Sequence, residues 1–158
     1  MRVRRITEED CEDLLAWRND VVTRANSRNM KRVSRREHLS WFAASLRNPD
    51  RVMYVGLEGA TKIGTVRFDL LPGLGSQYYV SITVSPLYRG LGYGKGLLMS
   101  AMHELGGSSL VADIKETNEA SKRLFAACGF EYRGPSPYAG LNRYALEGAQ
   151  DARNGTSS

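Results

Sequence analysis

The hydrophobic residues of this chain recur with two periods, and their succession along the chain predicts the order of the secondary structure. Alternating or continuous apolar runs predict strands at 3–6, 51–57, 62–70, 78–84, 110–114, 130–132 and 142–146. Apolar residues spaced three and four apart predict helices at about 7–19, 34–46, 93–105 and 118–127. The pattern therefore predicts an α/β fold in the order β-α-α-β-β-β-α-β-α-β-β, with about seven strands and about four helices.

The second predicted helix has the clearest start signal. Ser34 and Glu37 form a capping box, in which each polar side chain can bond the backbone N–H of the other. Leu39, Phe42 and Leu46, together with Ala43, are predicted as its buried face. A polar and basic segment, residues 20–33, precedes it and is assigned no secondary-structure element.

Length and composition favour one soluble domain. The chain has 158 residues, of which 42% are hydrophobic and 25% charged. We predict a single domain at 1–147 and a disordered tail at 148–158. No apolar run approaches the ~20 residues of a membrane span, and no signal-peptide core follows the N-terminus. Because only Cys11 and Cys128 are present, no disulfide framework is expected, and we predict a cytoplasmic protein without membrane contact.

The formal net charge is +5, and much of it lies in one short segment. The segment contains Arg28, Lys31, Arg32, Arg35 and Arg36. No aromatic interleaving and no recognised nucleic-acid motif accompanies these side chains, so we predict no nucleic-acid partner. A solvated helix start, or attraction of a phosphorylated cofactor or nucleotide-linked substrate, explains the charge better.

A glycine-rich turn follows the strand that ends at Val84 and leads into the third helix. Gly90, Gly92 and Gly94 let backbone N–H groups converge on phosphate oxygens, and the helix directs its positive end toward the anion. A P-loop is excluded, since Arg89 stands where its first glycine would be and no Ser or Thr follows Lys95. The dinucleotide fingerprint fails on the spacing of its last glycine, and a plain glycine turn without a ligand stays open.

Arg89-x-x-Gly92-x-Gly94 resembles the pyrophosphate loop of GCN5-related N-acetyltransferases, the GNAT superfamily. A second segment, Asn118 to Phe130, is similar to that superfamily's Asn-x-x-Ala-x-x-Leu-Tyr-x-x-x-Gly-Phe block, with the alanine one position early. The resemblance spans 1–147 and implies a mixed central sheet and acetyl-CoA as co-substrate. The implied cofactor-binding residues are Ile82, Thr83, Val84, Arg89, Gly90, Leu91, Gly92, Tyr93, Gly94, Lys95, Asn118, Ser121 and Phe125.

Two shorter patterns concern the acceptor. Residues 17–19 (Trp-Arg-Asn) and 37–41 (Glu-His-Leu-x-Trp) most resemble the N-acetyltransferases of flagellar pseudaminic-acid synthesis, which acetylate a 4-amino group of a nucleotide-linked dideoxy sugar. The resemblance implies a nucleotide-linked amino sugar as the favoured small-molecule acceptor. We predict Arg18, His38, Trp41 and Tyr79 as acceptor-contacting residues.

Acetyl transfer to an ammonium requires that the amine first lose a proton. Asp113, at the end of a buried strand, is the leading candidate for the base, as the resemblance also implies, with Glu116 in reserve and His38 or water as alternatives. Phe125 stands where many relatives carry a tyrosine that protonates the leaving sulfur. Because a thiol pKa of roughly 8.5 makes thiolate a tolerable leaving group, Phe125 does not exclude activity; Tyr138 or Tyr79 could act instead.

Three other functions remain open from the sequence. The chain could acetylate protein N-termini or other small amines, or it could be an acyl-CoA-binding regulatory module without turnover; a basic nucleic-acid-binding domain is the most distant. No metal is predicted, since the two histidines and two cysteines lack ligand spacing. A monomer or homodimer is expected.

Overall fold

The computed structural model describes residues 1–73 and 75–148, which form one seven-stranded sheet with helices on both faces. The strands are β1 (Arg2–Arg5), β2 (Arg51–Glu58), β3 (Thr61–Leu70), β4 (Gln77–Val84), β5 (Ser109–Lys115), β6 (Glu131–Pro135) and β7 (Leu141–Leu146). The helices are α1 (Cys11–Asn19), α2 (Val21–Asn26), α3 (Arg35–Arg47), α4 (Tyr93–Leu105) and α5 (Glu119–Ala127), and single 3-10 turns lie at Glu8–Asp10 and Pro86–Tyr88.

The sheet is mixed, as predicted, and its strand order is β1-β2-β3-β4-β5-β7-β6. Among the described strands, β4 and β5 run parallel and the other neighbouring pairs are antiparallel. Residues 149–158 of the predicted tail lie outside the described residues. Gly148 is described, and its N–H donates to Ser109 Oγ at 2.9 Å. None of the described helices is long and apolar enough to cross a membrane.

The two faces of the sheet carry two separate hydrophobic clusters. Alternate residues of the central strands, including Val66, Val80 and Ala112, pack with α4 and α5 on one face. Met53 and Val55 pack with α1 and α3 on the other face. Residues that alternate with the first set, such as Tyr79 and Asp113, therefore belong to the α1–α3 face.

The structure corrects the predicted buried face of α3. Leu39, Ala43 and Leu46 are exposed, whereas His38, Phe42 and Ser45 are buried. The helix is thus rotated from the orientation that apolar spacing alone predicts. Its predicted start is confirmed in part, since Ser34 Oγ accepts the Glu37 backbone N–H at 3.1 Å.

The segment 20–33, assigned no element from the sequence, contains a short helix, α2. Asp20 caps it by accepting the backbone N–H groups of Val22 and Thr23, each at 3.1 Å. Val21 and Val22 are exposed, so the helix has no buried apolar stripe that periodicity could detect.

A buried carboxylate fixes the N-terminal strand to the sheet. Asp10 is fully buried and accepts two hydrogen bonds from Arg4, at 2.8 and 3.0 Å, and one from the Thr7 backbone N–H. It also forms an ion pair with Lys62 at 2.8 Å. Burial alone would raise the pKa of Asp10, but the bonds from Arg4, Lys62 and Thr7 lower it from 3.8 to about 2.

We expect Asp10→Asn to lower the free energy of unfolding at pH 7 by about 3 kcal/mol, because it leaves two cations without their buried partner. The depressed pKa contributes wild-type stability that is complete above about pH 4 and is lost as the pH falls through about 2. Urea unfolding should therefore show that the difference in free energy of unfolding between variant and wild type is about 2 kcal/mol smaller at pH 2 than at pH 7. Glu12→Gln, which breaks an exposed pair with Arg35, is the matched control and should change stability by less than about 1 kcal/mol. An Asp10→Asn variant as stable as wild type at pH 7 would contradict this assignment.

Candidate active site

The sheet opens in its middle, between its two parallel strands. β4 and β5 pair only through Gln77, Tyr78 and Tyr79, the last of which lies beside Val111. Beyond that point β5 stays paired with β7, and β4 stays paired with β3. The space between residues 80–84 of β4 and 112–115 of β5 is called the opening below.

The strand register shows which backbone groups of β4 face the opening. The Ser85 N–H donates to Ile63 and the Leu71 N–H donates to the Gln77 carbonyl, each at 2.8 Å, which fixes the alternation of hydrogen bonds between β3 and β4. Thr83 therefore directs its N–H and carbonyl toward β3. Ile82 and Val84 direct theirs toward the opening, where β5 has already separated from β4. These backbone groups can bind an extended amide-containing chain in the way another strand would.

The glycine turn lies at the end of β4 and leads into α4. Gly90 and Gly92 have φ angles of 71° and 85°, in the region that side chains disfavour, and Gly92 is the N-cap of α4. The N–H groups of the first turn of α4, Tyr93, Gly94 and Lys95, lack intrahelical acceptors and are directed away from the helix body. A Cβ at Gly94 would lie 3.3 Å from Leu124, so this glycine serves the packing of α4 against α5.

The Arg89 side chain contacts the protein itself. Its guanidinium pairs with Asp20 at 2.7 Å and donates to Thr23 Oγ1 at 2.6 Å. Lys115, at the end of β5, donates to the Ala25 carbonyl of α2 at 2.7 Å. The short helix α2 is thus tied to the end of β4 through Arg89 and to the end of β5 through Lys115, and so it bridges the two strands where they separate.

The remaining predicted cofactor residues lie at the start of α5 and in the core. Asn118 caps α5 by accepting the Ser121 N–H at 3.2 Å, and it also donates to Ser121 Oγ at 3.0 Å. Phe125 is 3% exposed and packs edge-on against Phe130, with ring centroids 4.9 Å apart. The exposed side chains of Leu91 and Lys95 flank the turn.

Arginines are concentrated on the α1–α3 face near the opening. Arg18, in the last turn of α1, donates from Nη2 to the Asn29 carbonyl at 2.7 Å, but its Nη1 is buried without a hydrogen-bond partner among the described residues. Burial lowers the pKa of Arg18, and the charges of Arg24 and Arg67 lower it further. Burial likewise lowers the pKa of Arg67, and the negative charge of Asp69 partly offsets this decrease. Cations thus outnumber the carboxylates that could neutralise them here.

Two predicted acceptor residues are already engaged by other side chains or backbone. His38 is 3% exposed and its Nε2 lies 2.9 Å from the Cys11 carbonyl oxygen. Burial lowers the pKa of His38, so it is neutral at pH 7 and donates to that carbonyl. The guanidinium carbons of Arg51 and Arg67 lie 5.4 and 5.6 Å from the centroid of the Trp41 ring. His38 is therefore buried against α1, whereas Trp41 is half-buried and contacts two arginines.

Asp113 is bound on both oxygens. Arg143 Nε donates to Oδ1 and Nη2 donates to Oδ2, each at 3.0 Å, and the Asp113 side chain is 0% exposed. A covered, doubly bonded carboxylate is poorly placed to receive a proton from an acceptor amine. The reserve candidate, Glu116, is exposed, pairs with Lys122 and accepts from Asn142.

Tyr79 stands at the closed end of the opening. Burial, and next the negative charge of Asp113, raise the pKa of Tyr79 to about 12, so its phenol stays protonated at neutral pH. Tyr138 is 44% exposed, and the Arg28 guanidinium covers its ring at 4.0 Å.

Sequence reasoning missed Arg67, Arg143 and Asp20. Arg67 was detectable in part, as a charged position between the apolar residues Val66 and Phe68. The other two depend on which residues face each other across strands and loops, and no local pattern carries that information.

Comparison with known proteins now decides the family. The family model described as the acetyltransferase (GNAT) domain matches residues 1–131. The chain belongs to the GNAT acetyltransferase family. It is 30% identical over 100 residues to YfmK of Bacillus subtilis (strain 168), an uncharacterized N-acetyltransferase, in a match that covers 61% of this chain and 66% of that relative, just under two thirds of its length.

Solved structures agree with the fold. An N-acetyltransferase from Staphylococcus aureus Mu50 is 25% identical with a TM-score of 0.74, covering 92% of this chain and 97% of that one. The spermidine N-acetyltransferase of Vibrio cholerae, solved with CoA and spermine, is 15% identical with a TM-score of 0.81, covering 92% and 94%. The open edge of β4 and the first turn of α4 fit a CoA-type ligand, because within the described part of the chain their backbone N–H groups are left for an amide-containing arm and for phosphates. Within residues 1–73 and 75–148, no cluster of three or more His, Cys, Asp or Glu could hold a metal ion.

The turn offers a direct test of cofactor binding. Gly92→Ala should weaken CoA binding about tenfold or more, because a side chain at a positive φ costs about 1–2 kcal/mol and shifts the first turn of α4. Gly96→Ala, one helical turn further, is the matched control, since a Cβ there meets only Met1 at 4.0 Å. Calorimetry with CoA on both folded variants provides the measurement. Equal CoA affinity in Gly92→Ala and Gly96→Ala would remove the phosphate role from this turn.

Proposed function

We propose that this chain transfers an acetyl group from acetyl-CoA to a primary amine at the opening, and that its acceptor is a nucleotide-linked amino sugar. The single observation that supports this acceptor is the buried, unpaired Nη1 of Arg18, beside the like charges of Arg24 and Arg67. A buried guanidinium nitrogen without an acceptor is costly, and a phosphate or other anionic oxygen would satisfy it.

Electrostatics separates this acceptor from a polyamine. The wall formed by Arg18, Arg24 and Arg67 would repel a substrate with several positive charges. A nucleotide-linked sugar carries its negative charges on the diphosphate, and its single amine can lie apart from them. The two phosphates would face the arginines, while the amine would enter the opening.

The residues of the chain supply binding and polarisation. Acetyl-CoA would bring the acetyl group as a thioester, which a neutral amine attacks directly. The N–H groups of Ile82 and Val84 would hold the amide-containing arm, and one of them would polarise the acetyl carbonyl. The turn at 90–95, together with Lys95, would bind the pyrophosphate.

The amine must lose a proton, and the geometry favours water as the acceptor of that proton. Asp113, the base predicted from sequence, is covered by Arg143 and bonded on both oxygens. The surrounding arginines lower the pKa of an ammonium group bound near them, so the amine can bind in its neutral form. Phe125 offers no proton to the thiolate, whose own pKa of roughly 8.5 makes it an adequate leaving group.

Acetyl transfer to a panel of amines tests the proposed acceptor. A UDP-linked 4-amino dideoxy sugar should be acetylated with a kcat/KM at least tenfold above that for spermine or for a peptide N-terminus. Arg18→Gln should remove most of that preference, since it deletes the unpaired guanidinium, and Arg47→Gln on the exposed face of α3 should not. Faster transfer to spermine or to the peptide would overturn the acceptor assignment. CoA binding without turnover of any amine would favour the regulatory acyl-CoA-binding function.

A further inference from the structure

Arg143 forms an ion pair with Asp113 beside the opening, and it is the more exposed of the two residues. Arg143 on β7 and Asp113 on β5 are direct cross-strand neighbours. The Asp113 side chain is 0% exposed and that of Arg143 is 29% exposed, so the carboxylate lies behind the guanidinium. Asp113 therefore holds the arginine, and the arginine presents the charge.

Part of this guanidinium remains available to a ligand. Asp113 accepts from Nε and Nη2, which together form one side of the planar group. The third nitrogen, Nη1, makes no hydrogen bond to the protein within the ranges 1–73 and 75–148. A guanidinium fixed on one side by a carboxylate is oriented to bind an anionic oxygen on the other.

The surroundings of Arg143 place it on the α1–α3 face, beside the opening. Its side chain shares the α1–α3 face with Asp113, its cross-strand neighbour. Tyr79 and Tyr138 lie close enough to affect its titration, and Tyr79 marks the closed end of the opening. Arg28 covers Tyr138 and also acts on Tyr79. Within residues 1–73 and 75–148, Asp113 is the carboxylate that pairs with Arg143, and both of its oxygens are already bonded to that side chain.

We infer that Arg143 is an acceptor-contacting residue, positioned by Asp113, and that its Nη1 edge binds an anionic oxygen of the acceptor. This inference rests on the proposed acetyl transfer at the opening. It gives Asp113 a positioning role in place of a direct one, and it adds a second cation, on the β7 side, to Arg18 on the α1 side. The acceptor is then an amine that carries a phosphate or carboxylate.

A double-mutant cycle tests both parts of the inference. The kcat/KM of wild type is compared with that of four variants: Arg143→Gln, Asp113→Asn, the double variant and Arg143→Lys. Each protein is assayed on two acceptors, the UDP-linked 4-amino dideoxy sugar and the same amino sugar without its nucleotide. Arg143→Gln should lower kcat/KM for the UDP-linked sugar at least tenfold, mainly through KM, and change it less than threefold for the free sugar. The KM for acetyl-CoA should not change.

The cycle also separates a positioning role from a base. If Asp113 acts through Arg143, Asp113→Asn should lower kcat/KM for the UDP-linked sugar as much as Arg143→Gln does. The double variant should then have a kcat/KM no lower than that of either single variant. Arg143→Lys should recover little, because a lysine cannot reproduce the two-point contact with the carboxylate. Arg133→Gln on the neighbouring strand β6, which pairs with Glu131, is the matched control and should behave as wild type.

Several results would overturn the inference. A double variant far slower than Arg143→Gln would return the base role to Asp113, and equal losses on both acceptors would remove the anion from the contact. Unchanged kcat/KM in Arg143→Gln would likewise show that Arg143 does not contact the acceptor. Thermal melts report whether each variant folds. If Arg143→Gln does not fold, Arg143→Lys replaces it in the comparison, because the lysine keeps a positive charge beside Asp113. Failure of the proposed function is distinct: wild type itself would then bind CoA and acetylate neither sugar.

Discussion

The position at which β4 and β5 stop pairing determines the whole candidate site. Three residue pairs hold the two parallel strands together, from Gln77–Ser109 to Tyr79–Val111, and then each strand follows its other neighbour. A backbone that leaves its partner exposes N–H and carbonyl groups, which are costly to bury without a replacement. On β4 the alternation of hydrogen bonds assigns those groups to Ile82 and Val84. The opening thus exposes a backbone edge of β4, to which an amide-containing chain could bond.

The same separation explains the position of α2. A sheet divided in its middle needs contacts that hold the two halves, and α2 supplies them at the ends of both strands. Arg89, at the start of the glycine turn, bonds Asp20 and Thr23, while Lys115 bonds the Ala25 carbonyl. The glycine turn that precedes α4 is therefore joined to α2 by side-chain contacts.

Much of this organisation follows from sequence periodicity, and the exceptions have a physical cause. The strands, four of the five helices and the glycine turn are detectable because each has a local signal of spacing or of backbone freedom. The helix α2 is not, because its valines are exposed and only the Asp20 cap marks it. The burial of His38 reflects the rotation of α3, which tertiary packing sets. The Asp113–Arg143 pair depends on strand register, and a carboxylate at a strand end looks the same in sequence whether it is free or bonded.

We propose that the backbone of Ile82 and Val84 binds the cofactor at the open edge of β4. Amide hydrogen exchange followed by NMR, with and without CoA, tests it residue by residue. The Ile82 and Val84 amides should exchange readily in the free protein and become protected when CoA is added, whereas the Thr83 amide, already bonded to β3, should be protected in both states. Saturating CoA that leaves the Ile82 and Val84 amides unprotected would contradict the claim.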